Sequence, residues 1–163
     1  MVENYKVITL CGSTRFKKEF MREQKRLTLE GNIVISVGLF GHSGDNEVWE
    51  GMDKDTLTNT KIMLDDMHKR KIDMADEIFV INVDGYIGDS TKSEIDYAKQ
   101  HHKKVRYLVH PLIGKRIKYN RYGSVHIIKD VTDFDEDTFG QGNFAVSTED
   151  GKYLYECEIT ILD

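Results

Sequence analysis

Alternation is the feature that most restricts this chain. Over residues 5–109, short β-branched apolar runs take turns with longer stretches whose apolar residues recur at helical spacing. The runs at 5–10, 32–37, 77–82 and 104–108 read as buried parallel strands. Between them, 16–30 carries Phe16, Phe20, Met21, Leu27 and Leu29 among charged residues and stops at Gly31. A second helix is expected over 56–74 on Leu57, Ile62, Met63, Leu64, Met67 and Ile72, and a third over 91–101. The order β-α-β-α-β-α-β predicts an α/β fold of the Rossmann/flavodoxin-like kind, a parallel sheet with helices on both faces.

Ligands of such sheets bind outside the carboxyl ends of the strands. The loops expected to gather there are 11–15, the long Gly-rich stretch 38–55 and 84–90, and a nucleotide-like small molecule suits that place. After Pro111, the only proline, the pattern changes to alternating stretches at 116–119, 124–129, 144–147 and 153–162. The turn-rich pieces NRYG and EDG separate them, so a small C-terminal antiparallel β appendage is expected. The division is therefore residues 1–110 and 111–163.

Charge and cysteine use narrow the function. A formal net charge of -5, from 23 basic and 28 acidic residues spread along 163, supplies no electrostatic footprint for a nucleic-acid polymer. Cys11 and Cys157 lack metal-type spacing, and no signal-like segment precedes them. Both are expected to be reduced, in a soluble cytoplasmic protein. The longest apolar run, 33–40, is interrupted by Ser36 and Gly38 and falls short of the ~20 residues that span a bilayer, so no membrane partner is expected.

The turn formed by Gly12, Ser13, Thr14 and Arg15 combines close backbone approach, two hydroxyls, helix amides and a cation, which suits a phosphate or a carboxylate. Helix capping by Ser13 or Thr14 explains the same residues. Glu94, one turn into a helix behind a Gly-rich loop, can serve as nucleophile or base. It also completes the capping-box pattern Thr91-x-x-Glu94. Asp73 and Asp76 oppose the macrodipole at the end of the second helix, so at least one needs a partner or a task. Asp76 is equally well read as a solvated turn residue, and His68 as a surface histidine. His42 lines the pocket or decorates its loop. Trp49 and Tyr86 stack on a base or staple their own loops. The pair His101 and His102 has no spaced third ligand, so no metal site is assigned, and no cofactor is called for.

Three segments carry a resemblance: ITLCGSTRF at 8–16, GNIVISVGLFGH at 31–42, and RKIDMADEIFVINVDGYIGDSTKSE at 70–94. Together they resemble the nucleoside 2-deoxyribosyltransferase superfamily, which includes the 2'-deoxynucleoside 5'-phosphate N-hydrolases. The likeness covers about residues 5–110. It implies cleavage or transfer at the N-glycosidic bond of a nucleoside or nucleotide, with Glu94 as nucleophile through a glycosyl-enzyme ester. It also implies that Gly12, Ser13 and Arg15 hold the sugar-phosphate end, and that the protein is a homo-oligomer whose neighbours complete the pocket. Where the hydrolases carry a phosphate-binding serine this chain has Gly88, with Ser90 two residues away. Where the family has an aspartate before the Ala-Asp pair stands His68, so Asp73 or Asp76 is expected to substitute. The rival reading is a module that binds or senses a nucleotide on the same fold without turnover.

Overall fold

The computed structural model describes residues 3–134 and 144–162. The chain divides into two compact units, Met1–Val109 and His110–Asp163. The first runs β1 (Val7–Gly12), α1 (Lys17–Leu29), β2 (Ile33–Ile35), α2 (Lys54–Asp73), β3 (Glu77–Ile81), α3 (Asp89–Gln100) and β4 (Lys104–Tyr107). All four strands are parallel, in the order β2-β1-β3-β4. Each expected strand and helix forms, with shifted ends. β2 shortens to three residues because it is an edge strand paired only with β1, and Ile33 is half exposed.

Strand alternation builds two cores from one sheet. Ile8, Leu10, Phe79 and Ile81 point to one face and pack with Phe20 and Leu27 of α1. Cys11, Ile78 and Val80 point to the other and pack with Ile72 of α2 and with Ile95 and Ala98 of α3. Helices thus flank the sheet. Burying a residue the size of Leu10 or Phe20 stabilises by about 1.5–3 kcal/mol, which is why these apolar periods decide the layering. The charged exception is Glu77, buried at the start of β3, where Lys6 (3.2 Å) and Arg106 neutralise it.

The strand order positions the site. From β1 the chain passes to β2 on one side, then returns to β3 on the other, so consecutive connections diverge from the β1–β3 pair. A crevice opens at the carboxyl ends of such a pair, where the connecting loops part.

The second unit is an antiparallel five-stranded sheet in the order β8-β7-β6-β5-β9. Its strands are β5 (Arg116–Tyr119), β6 (Val125–Asp133), β7 (Phe144–Thr148), β8 (Tyr153–Tyr155) and β9 (Ile159–Ile161). Its core is Ile117, Ile128, Val146, Leu154 and Ile159. The last stretch, expected as a single strand over 153–162, is two. A 3-10 turn at Glu156–Glu158 divides it, and its halves pair with β7 and β5 at opposite edges of the sheet. Three residues reach only about 10 Å, so the sheet must curl to bring its edges together. Buried His126 hydrogen-bonds Ser124 (2.7 Å) and Asp150 (3.0 Å), tying β6 to the turn after β7. Among the described residues no helix is long and apolar enough to cross a membrane.

Candidate functional site

A cavity of about 440 Å³ opens at the carboxyl ends of the first unit's strands. The turn after β1 forms its floor, and Gly12 explains why a glycine stands there. At φ +151°, a Cβ on Gly12 would sit 2.8 Å from the Ile81 carbonyl oxygen and 3.3 Å from the Phe20 ring. Only a hydrogen fits between β1 and β3 at that point. The Arg15 guanidinium lies 4.6 Å from the centre of the Tyr86 ring, joining the first loop to the loop after β3. Thr14 Oγ1 is 2.7 Å from His42 Nδ1, which joins it to the loop after β2. Gly12, Ser13, Thr14, Arg15, His42, Tyr86, Gly88, Ser90 and Glu94, all marked by sequence, line this one cavity.

The capping explanations for these residues do not hold. Ser13 precedes the 3-10 turn at Thr14–Phe16 without a side-chain cap bond, and α1 begins at Lys17 without one. α3 starts two residues earlier than its sequence suggests, behind Gly88, again with no side-chain cap. Glu94 is therefore in the second turn, beyond reach of a capping box. Its Oε2 is buried, with no hydrogen-bond partner among the described residues.

Beneath the cavity three reactive side chains converge from three elements. Cys11 Sγ of β1 is 3.5 Å from Nε2 of His68 in α2, and that nitrogen is 3.9 Å from Glu94 Oε1 of α3. Burial pushes the Glu94 carboxyl up to about 8; Asp65 adds to the rise, while Cys11 and Lys69 oppose it. Burial and the nearby Lys71 cation push His68 down to about 4, against a hydrogen bond to the Leu10 backbone. Burial and the adjacent Glu94 raise the Cys11 thiol well above its ordinary value. At neutral pH all three are uncharged, the form that burial favours.

Asp73 and Asp76 are not brought to the cavity. Asp73 accepts from the Tyr97 hydroxyl (2.8 Å) and pairs with Arg70 (3.4 Å) at the far end of α2. Asp76 accepts from the Val7 amide (2.7 Å) at the amino end of β1, opposite to Gly12. The macrodipole argument that singled them out is answered by these partners. His68, read as a surface histidine, is buried instead, 7% exposed. The signal was present: Leu64, His68 and Ile72 follow i, i+4, i+8, so His68 stands in the inward stripe of α2. Ile62, Met63 and Met67, expected to face inward, are exposed. Asp65 and Lys71, on the same side of the helix as His68, also reach the cavity. The Lys71 ammonium donates to the Ser36 carbonyl at 2.9 Å. Trp49 both staples and lines: its indole N–H donates to the Gly41 carbonyl at 3.1 Å, and its ring occupies the space a Gly41 Cβ would need.

No protein-family model matches this sequence, and no curated protein matches it.

Proposed function

We propose that this protein cleaves or transfers the N-glycosidic bond of a nucleoside or nucleotide, with Glu94 as the nucleophile. The observation that carries the reading is the buried, unpartnered Oε2 of Glu94 in the wall of the cavity. Leaving a carboxylate oxygen unsatisfied is costly, and such cost is tolerated where the group has chemical work. The ionised carboxylate attacks the anomeric carbon as the carbon–nitrogen bond breaks, and the base leaves with that electron pair and takes up a proton. Water or a second base then displaces the glutamyl ester, giving hydrolysis or transfer. Asp65 replaces Asp73 and Asp76 as the carboxyl nearest in role to the base, because it shares the cavity with Glu94. Arg15, with Ser13 and the amides around Gly12, suits the anionic end of a nucleotide.

The divergence of connections at β1–β3 supports a Rossmann/flavodoxin-like reading of the sheet, and the segments quoted above support membership of the nucleoside 2-deoxyribosyltransferase superfamily. With that reading go a cytoplasmic setting, assembly as a homo-oligomer, a small-molecule partner and no cofactor.

The test is incubation with nucleosides, nucleotides and dinucleotides, with free base read by chromatography, for the parent protein and Glu94→Gln. Base release by the parent, lost in Glu94→Gln, is expected. Tight binding without release would instead leave a nucleotide-binding module, and release unaffected by the substitution would remove Glu94 from its role.

A further inference from the structure

We propose that Cys11, His68 and Glu94 form a binding site for one divalent transition-metal ion of zinc-like chemistry, set below the cavity and taking Glu94 as a ligand. One ligand atom from each lies within 4.8 Å of the others. A tetrahedral zinc with sulfur at about 2.3 Å and nitrogen at about 2.1 Å holds those donors about 3.6 Å apart. Cys11 Sγ and His68 Nε2 already stand 3.5 Å apart. The nitrogen and oxygen of such a site are about 3.4 Å apart, so Glu94 Oε1, at 3.9 Å from His68 Nε2, closes by about half an ångström on that side and by up to about 1.2 Å toward Cys11 Sγ, the three atoms lying within 4.8 Å of one another. A rotation of its side chain covers that.

The chemistry of the donors agrees. A thiolate, a neutral imidazole and a carboxylate sum to two negative charges, which one divalent ion cancels, so the three ligands and the ion together carry no net charge. His68 is placed for ligation: its Nε2 faces both Cys11 Sγ (3.5 Å) and Glu94 Oε1 (3.9 Å). The unpartnered Oε2 of Glu94 is the second observation, since the hydrogen-bonded cluster alone leaves it unsatisfied. Three protein ligands leave a fourth position, and His68 and Glu94, which line the cavity, direct it there. No pair of these residues is closer than 26 positions in sequence, so no spacing motif announces the site.

The consequence for turnover rests on the proposed nucleophile: an ion on Glu94 withdraws its lone pairs from the sugar, so the metal inhibits base release. The experiment separates the two readings. Cadmium is titrated into a Cys157→Ser background, which removes the exposed thiol, and the thiolate-to-metal absorption band is followed with no substrate present. One equivalent with a thiolate band is expected, with the band lost in Cys11→Ser and affinity lowered tenfold or more in His68→Gln and in Glu94→Gln. No band in the parent, a band that survives Cys11→Ser, or unchanged affinity in both other variants overturns the site. The titration of the parent stands even if Cys11→Ser does not fold. If base release is observed, zinc should suppress it and a chelator restore it; release that persists at full occupancy overturns the assignment of Glu94 as a ligand. Absence of base release from every substrate leaves the cadmium result intact, so failure of the enzymatic reading is distinguishable from failure of the metal site.

Discussion

Glu94 Oε1 and His68 Nε2 lie 3.9 Å apart across the gap between α3 and α2, yet they are not an ion pair. With the carboxyl pushed up to about 8 and the imidazole pushed down to about 4, both are neutral between those values. A neutral acid faces a neutral base, each held so by burial.

For the metal-free protein, kept so with chelator, base release through Glu94 should follow the ionised fraction of that carboxyl. The rate should rise about tenfold per pH unit below 8 and level off above it. A pH–rate profile checks this, and a flat profile between pH 5 and 8 would exclude Glu94 ionisation as the controlling step.

The same shift makes Glu94 a cost to stability. A carboxyl whose pKa is raised on folding stays protonated in the native state while the unfolded chain ionises, so the loss sets in as pH rises from 4.5 and is complete above about 8. Glu94→Gln should therefore be more stable than the parent at pH 9, by up to about 5 kcal/mol, and similar to it at pH 4.5. Denaturant unfolding at the two pH values reads the difference.

Asp73→Asn and Asp76→Asn should leave base release within about twofold of the parent. Both carboxylates are engaged away from the cavity, with Tyr97 and Arg70 in one case and the Val7 amide in the other. A hundredfold loss in either variant, measured by the same chromatographic assay, would return that residue to the chemistry.

Gly12→Ala forces a methyl to 2.8 Å from the Ile81 carbonyl oxygen. Parting β1 from β3 at their carboxyl ends should cost about 1–3 kcal/mol and displace the turn that carries Arg15. Thermal unfolding and nucleotide affinity should fall together, whereas Gly38→Ala, with open space around it, should leave thermal unfolding unchanged.

Glu23 supplies a pH dependence of opposite sign. Burial raises its pKa, but hydrogen bonds and charge from Arg22 (2.9 Å) and Arg26 (2.7 Å) outweigh burial and hold it below 4.5. The stabilisation is present above pH 4.5 and is lost as pH falls through the lowered value. Glu23→Gln should cost about 1 kcal/mol at pH 7, the arginines being largely solvated, and the difference should shrink to nothing near pH 2. Acid unfolding curves of the two proteins test it.

What was readable in advance was what local chemistry dictates. β-Branched runs and helical apolar spacing located all seven elements of the first unit, because each element hides its own apolar face. The loops at the strand ends followed from the parallel order, and Glu94, Arg15, Gly12 and Tyr86 with them. Helix starts were less readable: Thr91 and Glu94 suggested a capping box, yet the helix begins at Asp89, since tertiary contacts bury Thr91. The division of the last strand was hidden because each half is apolar in the same rhythm; only the pairing partners differ.

The elements, their order and the glycines that let backbone approach backbone are written locally in the chain, since each depends on residues a few positions apart. Only the packed fold brings together the side chains beneath the cavity. Cys11 and His68 are 57 positions apart and meet only because β1 lies under α2. Burial, a property of the packed whole, then turns an ordinary histidine and glutamate into a neutral pair. Asp73 and Asp76 carry the same carboxyl group as Glu94, but the fold engages them away from the cavity with partners of their own.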